Sequence, residues 1–193
     1  MTNIWDAEAA SFDDQTDHGL RDPAVRGAWS DLLLPLMPPP AAAVVDLGCG
    51  TGSLAVLLAQ AGHVVHGVDL SRGMLAVAGE KADAAGVAVD FREGDAADPP
   101  CPPGSYDVVL ARHVLWAMPD PVAALGAWER LLKPDGRLVL VEGRWFTGAG
   151  IAAEECERLV LANRNAATVT RLDDPALWGG PIEDERYVLL SRS

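Results

Sequence analysis

A chain of 193 residues is sized for a single domain. Its 49% hydrophobic and 22% charged residues suit a compact fold, and no apolar run approaches the ~20 residues that cross a bilayer. With 15 basic against 28 acidic residues and a net charge of −13, DNA, RNA and anionic membrane surfaces are disfavoured as partners, leaving a small molecule as the expected substrate class.

The first segment, Met1-Thr-Asn-Ile-Trp-Asp-Ala-Glu8, is acidic and lacks the basic, apolar pattern of a secretion signal, so a cytoplasmic location is expected. Trp5, Phe12, His18, Trp29 and Asp31 are its notable side chains and those of the stretch up to residue 37. Ala41–Val45 forms a short apolar run suited to a buried strand. Asp46-Leu-Gly-Cys-Gly-Thr-Gly52 follows, and Ser53–Gln60 reads as a helix stopped by Gly62. A strand that passes through glycines into a helix brings bare backbone close to a ligand, and the helix N-terminus favours an anionic group. Taken alone, this segment reads as a nucleotide-type cofactor site or as a tight turn with no ligand.

Further segments follow at supporting distances. His63–Asp69 is a second strand ending in an acid, at the range expected for a carboxylate that accepts from a ribose diol. Ser71 caps a second helix. Val87–Phe91 reads as a third strand leading to Gly94-Asp95-Ala96, and Tyr106–Ala111 as a fourth leading to Arg112-His113 and Trp116. Asp120-Pro121 starts a helix whose apolar face is Val122, Leu125, Trp128 and Leu132, with Lys133-Pro134 as its stop. Pro134-Asp-Gly136 turns into a fifth strand, Arg137–Glu142. A helix is expected over Ile151–Asn163, then strands at Ala167–Arg171 and Arg186–Leu190. Alternating strands and helices predict a doubly wound, mostly parallel sheet. The Pro-rich pieces, Pro38–Pro40 and Pro99–Pro103, read as loops.

Asp46 followed by Gly48, Gly50 and Gly52, then Asp69, Asp95 and Pro134-Asp-Gly136, resembles the class I S-adenosylmethionine-dependent methyltransferases over roughly residues 40 to 145. A nicotinamide enzyme spaces its glycines Gly-x-Gly-x-x-Gly, whereas here the third glycine comes one position early and Ser53 fills the late slot. The resemblance implies an α/β, Rossmann-like, seven-stranded sheet with an antiparallel last strand. It also implies an N-terminal helical lid over residues 1–37, a core over 38–193, and S-adenosyl-L-methionine as cofactor. The implied cofactor residues are Asp46, Gly48, Cys49, Gly50, Thr51, Gly52, Asp69, Leu70, Met74, Gly94, Asp95, Ala96, Ala111 and Arg112. Phe12 stands where relatives often carry a tyrosine that reaches the cofactor carboxylate, and a phenyl ring cannot make that bond.

The implied reaction is transfer of a methyl group to a small-molecule acceptor, without a metal. Its alternative is a cofactor-binding protein of the same fold with a regulatory or other role. His113, just after the fourth strand, is the candidate catalytic residue, and it reads either as a general base or as a residue that shapes the pocket. His18 is a weaker candidate, and His63 and His66 read as structural. Trp116, Trp145 and Trp178 line an aromatic acceptor pocket or pack the core, and both readings stand. Cys49, Cys101 and Cys156 have neither metal-ligand spacing nor a disulfide framework. The acceptor and the oligomeric state, monomer or homodimer, are not written in the sequence.

Overall fold

A computed structural model describes residues 4–192; the first three residues of the expected lid, and Ser193, lie outside the described residues. Seven strands form one sheet: β1 (Ala43–Leu47), β2 (Val64–Asp69), β3 (Asp90–Glu93), β4 (Tyr106–Arg112), β5 (Leu132–Arg144), β6 (Ala166–Arg171) and β7 (Glu185–Arg192). Their order is β3-β2-β1-β4-β5-β7-β6. β7 runs antiparallel to both neighbours, and the remaining pairs are parallel. The helices are α1 (Ile4–Glu8), α2 (Thr16–Gly19), α3 (Pro23–Leu33), α4 (Ser53–Gln60), α5 (Arg72–Ala85), α6 (Pro121–Leu131) and α7 (Ala153–Leu161). This is the doubly wound, Rossmann-like α/β fold that the element order predicts.

The strands are apolar throughout because both faces of the sheet are covered. Successive residues point to opposite faces. Val45, Leu47, Val109, Leu138 and Leu140 pack under Leu125 and Trp128 of α6 and Cys156 and Val160 of α7. Val44, Val108, Leu110, Val139 and Val141 pack under Trp29 and Leu33 of α3 and Leu54 and Leu58 of α4. The helix starts are made by side chains, as expected. Ser71 Oγ accepts from Met74 N at 3.1 Å, and Asp120 accepts from Ala123 N at 3.0 Å.

Three local expectations shift. The third strand begins at Asp90, later than its apolar residues suggest, because Val87 N donates to Ala82 O and Gly86 adopts φ +67°. Val87 therefore closes the end of α5 in a glycine-terminated cap. In α6, Val122 is solvent-exposed and the buried face is Ala124, Leu125, Ala127, Trp128 and Leu131, while Leu132 already belongs to β5. Finally, Tyr106 pairs with Leu132 but Val108 pairs with Arg137, so Pro134-Asp-Gly136 is looped out within a longer β5.

All of this leaves one functional edge. The carboxyl ends of β1 to β5 lie together, and β7 begins there, since Arg186 pairs with Gly143 near the end of β5. The chain order reverses between β1 and β4, the position at which open α/β sheets bind ligands.

Candidate active site

A cavity of about 450 Å³ runs along this edge. One half is built on the ends of β1, β2 and β3. In it, Gly48, Gly50 and Gly52 all have positive φ, which glycine adopts without strain. Their free faces differ. A Cβ on Gly48 would meet Val114 Cγ2 at 2.5 Å and one on Gly52 would meet Ala78 at 2.8 Å, whereas one on Gly50 would meet only the Phe12 ring, at 3.6 Å. Gly48 and Gly52 make the turn compact, and Gly50 leaves bare backbone facing the cavity.

Asp69 holds this loop. One carboxylate oxygen accepts from Gly50 N at 2.9 Å and the other from Ser71 N at 2.8 Å. Each oxygen keeps acceptor capacity for a diol. Burial raises the Asp69 pKa, partly offset by these two N–H donors. Asp46 is more buried still, at 1% exposed. Burial pushes its pKa up to about 7; the Arg112 guanidinium opposes that rise and Asp69 adds to it. Leu70, Met74, Gly94, Asp95 and Ala96 complete the lining, with Asp95 holding Ala97 N at 2.8 Å. Cys49 lines the cavity too, its thiol raised well above the ordinary range first by burial and then by Asp46 and Asp69. Of the residues implied from sequence, Gly52 and Ala111 do not line the cavity: Gly52 is closed off by Ala78 and Phe91, and Ala111 is buried within the sheet.

The other half is built on the ends of β4 and β5 and the start of β7. His113 lines it, in the left-handed region at φ 58°, and its Nδ1 is buried with no partner among the described residues. Burial, then the cations Arg112 and Arg186, hold its pKa well below the usual imidazole range. Trp116, Met118, Trp145 and Arg186 complete this half. Trp178 instead packs in the core, edge-on to Trp29, with its indole N–H on Leu172 O at 2.9 Å. Glu142 fixes the turn after His113: one carboxyl oxygen accepts from Val114 N at 2.9 Å and Leu115 N at 2.7 Å. Its pKa is raised by burial to about 8, so the group is largely protonated at neutral pH.

The N-terminal segment crosses both halves, and Trp5, Phe12, Asp17 and His18 line the cavity from it. Phe12 and His18 stack at 4.3 Å. Three aspartates pin it down. Asp6 accepts from Ser71 Oγ and Gly73 N at the start of α5. Asp13 accepts from Thr51 Oγ1 at 2.5 Å and pairs with Lys81 at 2.8 Å, while Lys81 also donates to Thr51 Oγ1 and Ser53 Oγ. Asp17 pairs with Arg112 at 3.0 Å. None of these aspartates, nor Lys81 or Arg186, stands out in the sequence. The carboxylates lie in a segment without a motif, and their partners lie far away in the chain.

A family model described as a methyltransferase domain matches residues 45–140. The chain belongs to the class I S-adenosylmethionine-dependent methyltransferases. Within this family it is similar to the ubiquinone biosynthesis O-methyltransferase of Ralstonia nicotianae, 46% identical over 96 residues that make up 49% of this chain and 40% of that protein. The chain thus spans less than two thirds of the length of these curated relatives, 40% of this one and 42% of the ubiquinone biosynthesis O-methyltransferase of Pseudomonas aeruginosa. Its fold is that of a SAM-dependent methyltransferase from Aquifex aeolicus, at TM-score 0.71 and 17% identity with 97% of each chain covered. It is also that of the cyclase SpnF, at TM-score 0.73 and 22% identity, over 86% of this chain and 80% of that one.

The family's cofactor is S-adenosyl-L-methionine, and the methyltransferase residues found here fit it. The open face of Gly50 leaves room for its backbone-hugging middle. Asp69 keeps lone pairs that a ribose diol could use, and Asp46 is a buried acid at the adjoining strand end. Among the described residues no group of His, Cys, Asp and Glu is placed to hold a metal, and no helix is long and apolar enough to cross a membrane.

Proposed function

We propose that the protein transfers the methyl group of S-adenosyl-L-methionine to a small molecule bound in the second half of the cavity. The observation that carries this reading is the continuity of one cavity across the β1/β4 switch, with glycine loop and acids on one side and His113, Trp116 and Trp145 on the other. When bound, the cofactor supplies a methyl group on a positively charged sulfonium, open to in-line attack.

The chain's own residues do the rest. Asp69 accepts from the ribose hydroxyls while tying down Gly50, and Asp95 lies at the adenine end. Asp46, whose pKa burial pushes up to about 7, faces the amino-acid end, whose ammonium favours its ionised form. Arg112 and Asp17 close the floor between the two halves. Much of the acceleration comes from fixing nucleophile and methyl carbon in line, an effect worth ~7–11 kcal/mol. His113 acts by shape: it is buried and neutral, and two guanidiniums disfavour the protonated ring a base must become. Residues 1–37 act as the covering segment and 38–193 as the core. That cover, together with the net charge of −13, favours a small acceptor over nucleic acid.

Calorimetry with S-adenosylmethionine, its demethylated product and NADH tests the reading. The first two bind and NADH does not. Binding of NADH without either of the others sinks it. Cofactor binding with no labelled product from a metabolite extract supports instead a binding protein without methyl transfer.

A further inference from the structure

α5 holds the N-terminal segment at two places. At its start, Ser71 Oγ and Gly73 N donate to Asp6. Farther along the same helix, the Lys81 ammonium reaches three acceptors: Ser53 Oγ at 2.7 Å, Asp13 at 2.8 Å and Thr51 Oγ1 at 3.2 Å. An ammonium has three protons, and here each has an acceptor. Thr51 Oγ1 in turn donates to Asp13 at 2.5 Å, which closes a ring of bonds joining α5, the glycine loop and the N-terminal segment. Asp13, Thr51 and Ser53 are all buried.

The members of this ring adjoin groups that face the cavity. Thr51 lies between Gly50 and Gly52, and both Thr51 and Ser53 line the cavity. Asp13 follows Phe12, whose ring lines the cavity and is the group that a Cβ on Gly50 would meet, at 3.6 Å. A phenyl ring has no hydrogen bond to hold it, so its place over Gly50 depends on the chain to either side. That chain is tightly folded: a Cβ on Gly19 would meet Asp13 O at 2.5 Å, and His18 stacks on Phe12. Fixing Asp13 therefore fixes Phe12 over the open backbone of the loop.

We infer that Lys81 is a positioning residue for cofactor binding. Its ammonium fastens the N-terminal segment over the glycine loop and acts through Thr51 and Asp13, without touching the cofactor. This role rests on the proposed cofactor site in the same half of the cavity.

Calorimetry with the demethylated cofactor, alongside urea denaturation, tests it on three forms of the full chain: the unmodified protein, Lys81→Met, and Lys81→Met combined with Asp13→Asn. Affinities are measured on protein with a native far-UV spectrum. The single variant leaves a buried carboxylate without its ammonium and is destabilised. The double variant carries neither charge, and its amide still accepts from Thr51, so stability returns toward that of the unmodified protein. Cofactor affinity does not return. In both variants it is weaker by at least about fivefold, the lower end of typical coupling between two sites. A residue that only stabilises the fold would give affinity back together with stability. Affinity of the double variant within about twofold of the unmodified protein overturns the inference, and the double variant decides the matter even if the single one does not fold. An unmodified protein that binds neither S-adenosylmethionine nor its demethylated product overturns the proposed function and this role together, whereas unchanged affinity in the double variant overturns the role of Lys81 alone.

Discussion

The two halves of the cavity are built by different means. In the cofactor half, the chemistry comes from consecutive backbone: Gly48, Gly50 and Gly52 within one turn, braced by the side chain that ends the next strand. In the acceptor half, His113 follows β4, Trp145 follows β5 and Arg186 lies at the start of β7, and the turn after His113 is held by the buried carboxyl of Glu142 on β5. Local construction puts the groups of one half within a short run of chain, so they are set by neighbouring residues. Distributed construction brings each wall of the other half from a different part of the chain.

The sharpest test of this contrast is Glu142→Gln. The folded-state pKa of Glu142 is raised to about 8 from an ordinary 4.5, so the folded protein holds a proton there that the unfolded chain releases. Stability from this group is present below pH 4.5 and is lost as pH rises toward 8, a decline of several kcal/mol. The neutral amide keeps an acceptor for Val114 and Leu115 and has no proton to lose. Denaturation at pH 5, 6.5 and 8 is expected to show a falling midpoint in the parent and a flatter one in the variant. Identical slopes would mean that Glu142 does not carry the turn in the way described.

Next comes Lys81→Met, which removes one of the ties between the cofactor half and the N-terminal segment. It removes three donors and leaves Asp13, 6% exposed, with Arg21 at 3.9 Å as its remaining cation. A loss of about 3 kcal/mol is expected, the lower end for breaking a buried pair because Lys81 is partly exposed. Urea denaturation measures it; a change under 0.5 kcal/mol, the scale of ordinary surface substitutions, contradicts a structural role for the cluster.

Asp69→Ala should weaken cofactor binding by roughly ten- to 150-fold, the equivalent of ~1.5–3 kcal/mol for a charge-assisted bond. The structure moves the expectation to the upper end, because the same carboxylate also braces Gly50. Calorimetry on a variant with a native far-UV spectrum decides it, and unchanged affinity refutes the ribose role. The smallest effect belongs to His113→Gln. A pocket-shaping residue replaced by one of similar bulk should lower kcat by less than about tenfold and act more on the acceptor's KM. A fall of ~10²–10⁴ in kcat, with loss of a titration near neutrality, restores the general-base reading.

This contrast also explains what was legible in the sequence. The glycine turn, Asp69, the Ser71 and Asp120 caps and the strand order could be read because each depends on neighbours in the chain. The third strand begins later than its apolar residues suggest because a helix cap consumes Val87, and Val122 faces solvent rather than the core because a helix start leaves its first turn free to do so. Arg186 and Glu142 were invisible as site residues. Their roles arise only when β7 turns antiparallel and delivers its first residues to the edge where β5 ends.

The pinned N-terminal segment has a consequence for binding. Asp6 and Asp13 fasten it to the start of α5 and the glycine loop, in the cofactor half, and Asp17 to the end of β4, where the other half begins. A molecule bound in the proposed cofactor half would be linked to the docking of this segment, and linkage is reciprocal: any factor by which the molecule tightens the segment is the factor by which the segment tightens the molecule. A sequence change among residues 6–17 that breaks one of these ties is therefore expected to change the affinity of a molecule bound beside the glycine loop, although the change lies outside the glycine motif.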